Sequence, residues 1–176
     1  YRFSKLATEA ITGTHFKSET DLSEVNIYSR LKAALLPVRK YGAQNIVMYV
    51  SSEVMDFLER SKDFTRSIAT TSPQGIDTRV TSLDGVQIIE VWDDARFKTK
   101  FDFTTGFVKA SDGKDINFLI VAKPAVIAKA KFNSIYLFAP GQHTEGDGYL
   151  YQNRLYHDLF VLDTKKDGVY VSHKSA

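Results

Sequence analysis

Cysteine is absent from this 176-residue chain, which excludes a disulfide framework, thiol catalysis and cysteine-ligated zinc or iron–sulfur centres. Histidine is then the only strong nitrogen ligand, and there are four. Basic runs are missing as well. The 23 Lys and Arg alternate with 21 Asp and Glu for a net charge of +2, so no dense phosphate-contacting patch exists and any DNA contact is non-specific. No apolar stretch approaches the ~20 residues that span a bilayer, and no signal-peptide pattern leads the chain. The expectation is a soluble, non-secreted protein with no membrane partner. The chain opens at Tyr1 rather than Met, and the expectation is that an N-terminal region precedes it.

The length suits one domain, or one domain with two lobes, and is enough to bury a core. Leu6, Ala7, Ala10 and Ile11 predict a short helix capped by Ser4 and stopped at Gly13. A longer helix is predicted over 21–41. Leu22, Val25, Tyr28, Leu31, Leu35 and Val38 form one apolar face across about five turns, with Pro37 placed to end it. Ile46 to Val50 reads as a buried strand, followed by a helix capped by Ser51 or Ser52 that carries Val54, Phe57 and Leu58. Turns are predicted at Ser72 to Gly75 and at Asp84-Gly85. Val86 to Trp92, Phe101 to Val108 and Ile116 to Ala122 read as strands, and Pro124 opens a short helix through Ala130. Strands then dominate: Ile135 to Ala139, Tyr149 to Tyr156, Leu159 to Leu162 and Val169 to Val171. The class is α+β.

The loop from Pro140 to Gly148 is the one place where His, Glu, Asp and several glycines converge. His143, Glu145 and Asp147 alternate, so an extended loop would point them one way and offer part of a metal site, which His157 or Asp158 would have to complete. Phosphate binding is excluded, because Asp147-Gly148 stands where a phosphate loop needs Lys and Ser or Thr. Asp163 to Gly168 lacks the ligand set of a calcium loop and reads as a hairpin turn. No Gly-x-Ser-x-Gly elbow occurs. Tyr136, Phe138, Tyr149, Tyr151, Tyr156 and Phe160 occupy odd and even positions alike, so these strands are expected to be covered on both faces, by core or by another subunit.

Taken in order, Asn26 to Leu31, Ile46 to Glu53, Leu83 to Val91, Ile116 to Ala128 and Gly146 to Arg154 resemble the major capsid protein of tailed bacteriophages and prophages of the Hong Kong 97 type. The ordered set covers residue 22 to the end. The resemblance implies the capsid fold, with a long spine helix at 21–41. It implies a peripheral strand-rich lobe from 1–44 and 133–176, and an axial α/β lobe from 45–132. It further implies a non-enzymatic structural protein without cofactors, made in the bacterial host cytoplasm and residing in the virion capsid. Its partners would be other copies in pentamers and hexamers, with scaffold, portal and protease proteins, around packaged DNA. Pro140, His143, Glu145, Asp147 and Arg154 would be subunit contacts. Two alternatives remain open on the residues alone: an encapsulin-type compartment shell, and a metal-dependent hydrolase using His143, Glu145 and His157.

Overall fold

The computed structural model describes residues 1–62, 82–104 and 106–175. The Ser72 to Gly75 turn lies outside the described residues. The chain forms two compact units, one from Tyr1–Val126 with Val161–Ala176 and one from Ile127–Phe160. The stretch 133–176 therefore divides, because its last strand hydrogen-bonds into the sheet of the first unit and not to the strands before it.

In the first unit, α1 (Arg2–Thr12) ends at Gly13 as its sequence predicts, although it starts at Tyr1 and not at Ser4. Ser4 Oγ instead donates to the Thr99 carbonyl at 2.8 Å. After β1 (Phe16–Ser18), the predicted five-turn helix is only α2 (Ile27–Leu35). Tight 3₁₀ turns at Arg39–Tyr41 and Ala43–Asn45 follow it. Asn26 explains the late start: its side chain accepts from Ser23 N–H and donates to the Asp21 carbonyl, stabilising a turn in place of the first helical turn. Pro37 accounts for the early end. The apolar stripe is used in part: Leu31, Leu35 and Val38 are fully buried and Leu22 and Tyr28 half-buried, whereas Val25 is 77% exposed and Ile27, outside the stripe, is buried in its place.

β2 (Ile46–Ser51) runs straight into α3 (Ser52–Arg60), whose Val54 N–H is capped by Ser51 Oγ at 3.3 Å. β3 (Ser82–Leu83) and β4 (Val86–Val91) meet through Asp84 and Gly85, both at positive φ, as the Asp-Gly pair predicts. Phe101 to Val108 is a small hairpin, β5 (Phe101–Asp102) with β6 (Val108–Lys109), and not one strand. β7 (Ile116–Ala122) is buried at every position.

The sheet order is β1-β10-β7-β2-β4-β3, where β10 is Val169–His173. β2 and β4 are parallel, whereas β7 is antiparallel to both β2 and β10. Ile46, Met48 and Val50 on one face of β2 join the cluster formed by α2 and α3. Tyr49 points to the other face, where the Phe3 ring of α1 meets it edge-on at 5.1 Å and meets Phe97 at the same distance. Helices on both faces explain the unbroken apolar run of β7. Glu19, almost wholly buried, ties the β1 end to the sheet. It accepts from Ser172 Oγ and pairs with Lys17 and Arg30, while Asn117 donates to its carbonyl oxygen.

Asp163–Gly168 is a 3₁₀ segment and not the predicted hairpin turn, because β10 after it pairs with β7 and β1 while the strand before it belongs to a separate two-stranded sheet. Gly168 is required there, since a Cβ would sit 2.6 Å from the Ala125 Cβ. Asp167 beside it is held low by Lys40 and by the Tyr41 hydroxyl, which donates to it at 2.6 Å. Burial, and then that hydrogen bond to Asp167, push the Tyr41 phenol up to about 12. An unfolded tyrosine titrates near about 10. Below that pH both states keep the proton; between about 10 and 12 the unfolded chain releases it and the folded chain does not, so stability falls as pH rises through this window. Urea midpoints measured from pH 9 to 12 are expected to fall less steeply for Tyr41→Phe. Part of the slope should persist, because burial also raises Tyr170.

Candidate functional site

The second unit is built from β8 (Val126–Phe138) and β9 (Leu150–Val161), paired only with each other. The helix predicted from Pro124 to Ala130 is absent: Lys123–Ala125 is a single 3₁₀ turn, and β8 begins at Val126. Pairing with β9 overrides the helical preference of the Ala and Lys residues. Side chains alternate along a strand, and the Phe132 and Tyr156 rings lie 6.2 Å apart, so even-numbered residues of both strands share one face. That face holds Phe132, Tyr136, Phe138, Arg154, Tyr156 and Phe160. The opposite face holds Lys129, Lys131, Ile135, Leu137, Tyr151 and Leu155.

Both faces are apolar and both are exposed. On the even face Tyr156 is 64% exposed and Phe160 51%; on the odd face Leu137 is 66% exposed and Ile135 60%. A two-stranded ribbon is marginal in water by itself, and apolar area on this scale marks an interaction surface. The aromatics at odd and even positions were the signal for it in the sequence. Tyr136 and Phe138 of β8 belong to that signal, whereas the apolar residues nearer its start are hidden by the helix expected there. A smaller exposed group lies on the β5–β6 hairpin, where Phe101 and Phe107 stack at 4.1 Å and Phe103 is 61% exposed.

The loop from Pro140 to Gly148 closes the far end of the ribbon. Gly141 and Gly146 turn it at positive φ with open space around them. His143 organises it. Its Nδ1 accepts from Glu145 N–H at 3.2 Å, so its Nε2–H donates to the Gly148 carbonyl at 2.7 Å. Gln142 adds a bond from Ala139 N–H to its side-chain oxygen at 3.0 Å. Both ring nitrogens of His143 are thus committed to backbone. Among the described residues no group of three His, Asp or Glu is placed to hold a metal, so His143, Glu145 and His157 are not assembled into a hydrolase centre. Pro140, Glu145 and Asp147 are exposed at the tip, and Arg154 is exposed midway along β9.

No protein-family model and no curated protein matches the chain. Solved structures do. One from Mycobacterium phage Che8 aligns with a TM-score of 0.62 at 13% identity, covering 97% of this chain and 55% of that one. The asymmetric unit of the bacteriophage PhiM1 mature capsid aligns at 0.58 and 14% identity, covering 92% and 51%. The fold is that of a phage capsid protein. A third structure, from Gordonia phage Cozz, aligns at 0.55 and 15% identity over 92% of this chain and 50% of that one. The chain spans about half the length of the capsid-fold structures it matches. The ribbon and its loop form one compact unit of this capsid fold, exposed on both faces. No described helix is long and apolar enough to cross a membrane.

Proposed function

We propose that this chain is part of a major capsid protein of the Hong Kong 97 type, a structural and non-enzymatic subunit of the icosahedral shell around phage DNA. The likeness to the PhiM1 mature capsid over 92% of the chain is the observation that carries this reading. The ribbon agrees with it, since a subunit that tiles must offer apolar surface to its neighbours. On this reading the protein is made in the host cytoplasm and resides in the virion. Its partners are other copies of itself in pentamers and hexamers, with scaffold, portal and protease proteins during assembly; DNA is touched only non-specifically. The ribbon with Pro140, His143, Glu145, Asp147 and Arg154 is the subunit contact. Residues 45–132 take the axial role, and 1–44 with 133–176, most of the ribbon among them, the peripheral one.

The test is electron microscopy of the full-length protein expressed alone and with its scaffold. Closed shells are expected. Absence of any shell in both preparations overturns the reading, and shells filled with a co-purifying protein in place of DNA favour the encapsulin-type alternative.

A further inference from the structure

Asp-Gly occurs four times in the chain, at Asp84-Gly85, Asp112-Gly113, Asp147-Gly148 and Asp167-Gly168. Glycine leaves its own amide nitrogen unshielded by a side chain, so in each pair that nitrogen can attack the aspartate Cγ. The fold treats the pairs unequally. Three are held in the sheet unit. Arg39 and Lys32 both bind the Asp84 carboxylate, Lys32 at 3.4 Å, in the tight turn between β3 and β4. Lys100 binds Asp112 and holds its carboxyl below the usual range, and the Gly113 N–H is committed to the Ala110 carbonyl at 2.9 Å. Lys40, and then the Tyr41 hydroxyl, do the same for Asp167, and Gly168 is wedged against Ala125.

Asp147-Gly148 has none of these restraints. Among the described residues the Asp147 carboxylate makes no hydrogen bond or ion pair, and the Gly148 N–H donates to nothing. Gly148 has an ordinary φ, with no atom within 4 Å of the place a Cβ would take. Its carbonyl is fixed by His143 Nε2–H at 2.7 Å, so the loop is anchored beyond the Asp147-Gly148 bond and unrestrained at the two groups that react.

We infer that Asp147-Gly148 is a site of spontaneous covalent modification, where aspartate converts to isoaspartate through a cyclic imide, and that Arg39 with Lys32, Lys100, and Lys40 with Tyr41 guard the other three pairs. The Gly148 nitrogen bonds to the Asp147 Cγ, and the side-chain hydroxyl leaves as water with the amide proton. A second water opens the ring. Opening at the main-chain carbonyl breaks its bond to the Gly148 nitrogen and leaves the chain running through the side-chain carbons; opening at Cγ restores aspartate. One water is released and one taken up, so nothing is oxidised or reduced and solvent is the sole co-reactant. The guards act on the electrophile. A paired carboxylate stays ionised and offers no hydroxyl to expel as water, and its hydrogen bonds hold Cγ in one rotamer. Isoaspartate adds one main-chain carbon to the loop and so displaces the Gly148 carbonyl from His143. The inference stands apart from the capsid reading, since it concerns chemistry within one subunit.

The test keeps full-length protein for weeks as free subunits at neutral pH, beside a sample unfolded in guanidinium chloride. Isoaspartate in each Asp-Gly peptide is then measured by enzymatic methylation and by resistance to an aspartate-specific endoprotease. The folded sample is expected to carry several-fold more at Asp147 than at Asp84, Asp112 or Asp167, and the unfolded sample similar amounts at all of them. Background levels at Asp147 in the folded protein overturn the assignment. The same ranking in the unfolded sample overturns it too, because flanking sequence and not the fold would then set the rate. Gly148→Ala, which the ordinary φ and open space accommodate, should remove most of the modification at Asp147. Lys32→Gln with Arg39→Gln, both at partly exposed positions, should raise isoaspartate at Asp84 several-fold and leave Asp147 unchanged. An unchanged level at Asp84 counts against the guards. These outcomes are the same whether or not the protein forms shells, so their failure leaves the capsid reading in place.

Discussion

Phe118→Ala is expected to remove about 3–5 kcal/mol of folding stability, the cost of deleting a buried aromatic ring whose surroundings relax only in part. Phe118 is fully buried on the central strand β7, opposite Val50 of β2 and Ser172 of β10, and its ring stacks with Tyr170 at 6.4 Å. It belongs to the cluster that joins α2 and α3 to the sheet. Domains of this size are stable by about 5–15 kcal/mol, so the loss takes a large share of the total. A drop of about 10–15 °C in the melting temperature is expected by circular dichroism, or loss of soluble protein. Phe118→Leu keeps most of the volume and should cost about 1–2 kcal/mol. If the alanine variant melts within a few degrees of the parent chain, the sheet is not the cooperative core described here.

The sheet was legible in the sequence because its signals are local. The run Ile46 to Val50, the Ser51 cap, the Asp84-Gly85 turn and the apolar stretch from Ile116 each specify their own element without reference to distant residues. What failed did so where distant or polar partners decide. The stripe from Leu22 to Val38 marks the core at Leu31, Leu35 and Val38 but fails at Val25, which is 77% exposed, because Asn26 diverts the backbone on one side and Pro37 on the other and only a nine-residue helix remains. From Val126 to Phe132 the Ala and Lys residues favour a helix, and only pairing with β9, more than ten residues further along, makes the segment extended. Strand order is invisible for the same reason: β10 reaches its place beside β7 across the whole length of the ribbon.

In sequence the loop offers part of a metal site, and in the fold it is the turn at the end of the ribbon. Its glycines and alternating polar residues suit a metal site in sequence, and the geometry shows His143 bonded to its own backbone. What distinguishes the ribbon is not one constellation but the failure of period-2 alternation. A strand with one solvated face would place polar residues at every second position; β9 has Tyr151, Leu155, Tyr156 and Phe160 on both parities. In a buried strand this means two covered faces. Here both are bare, with Tyr149 beside them 74% exposed.

Leu137→Asp combined with Tyr156→Asp is expected to abolish assembly while leaving the sheet unit intact. The two positions lie on opposite faces of the ribbon, and each is more than 60% exposed in the single chain. In the free subunit the aspartates stay in water, and substitutions at such positions change stability by about 0.5 kcal/mol or less. In a shell each would be an unpaired charge buried against apolar neighbours, at about 2–5 kcal/mol. The two sites share no contact, so the costs add to at least about 4 kcal/mol, roughly a thousandfold in association per subunit. Symmetry repeats that loss at every copy. Sedimentation should show the double variant as free subunits at concentrations where the parent protein forms particles, with the main melting transition unchanged. The single variants separate the faces: equal losses from each mean that both faces are covered in the assembly, and a loss confined to Leu137→Asp means that the odd face alone is buried. Shells of normal yield from the double variant would show that the ribbon is not an interface, and the apolar group at Phe103 and Phe107 would then be the surface to alter.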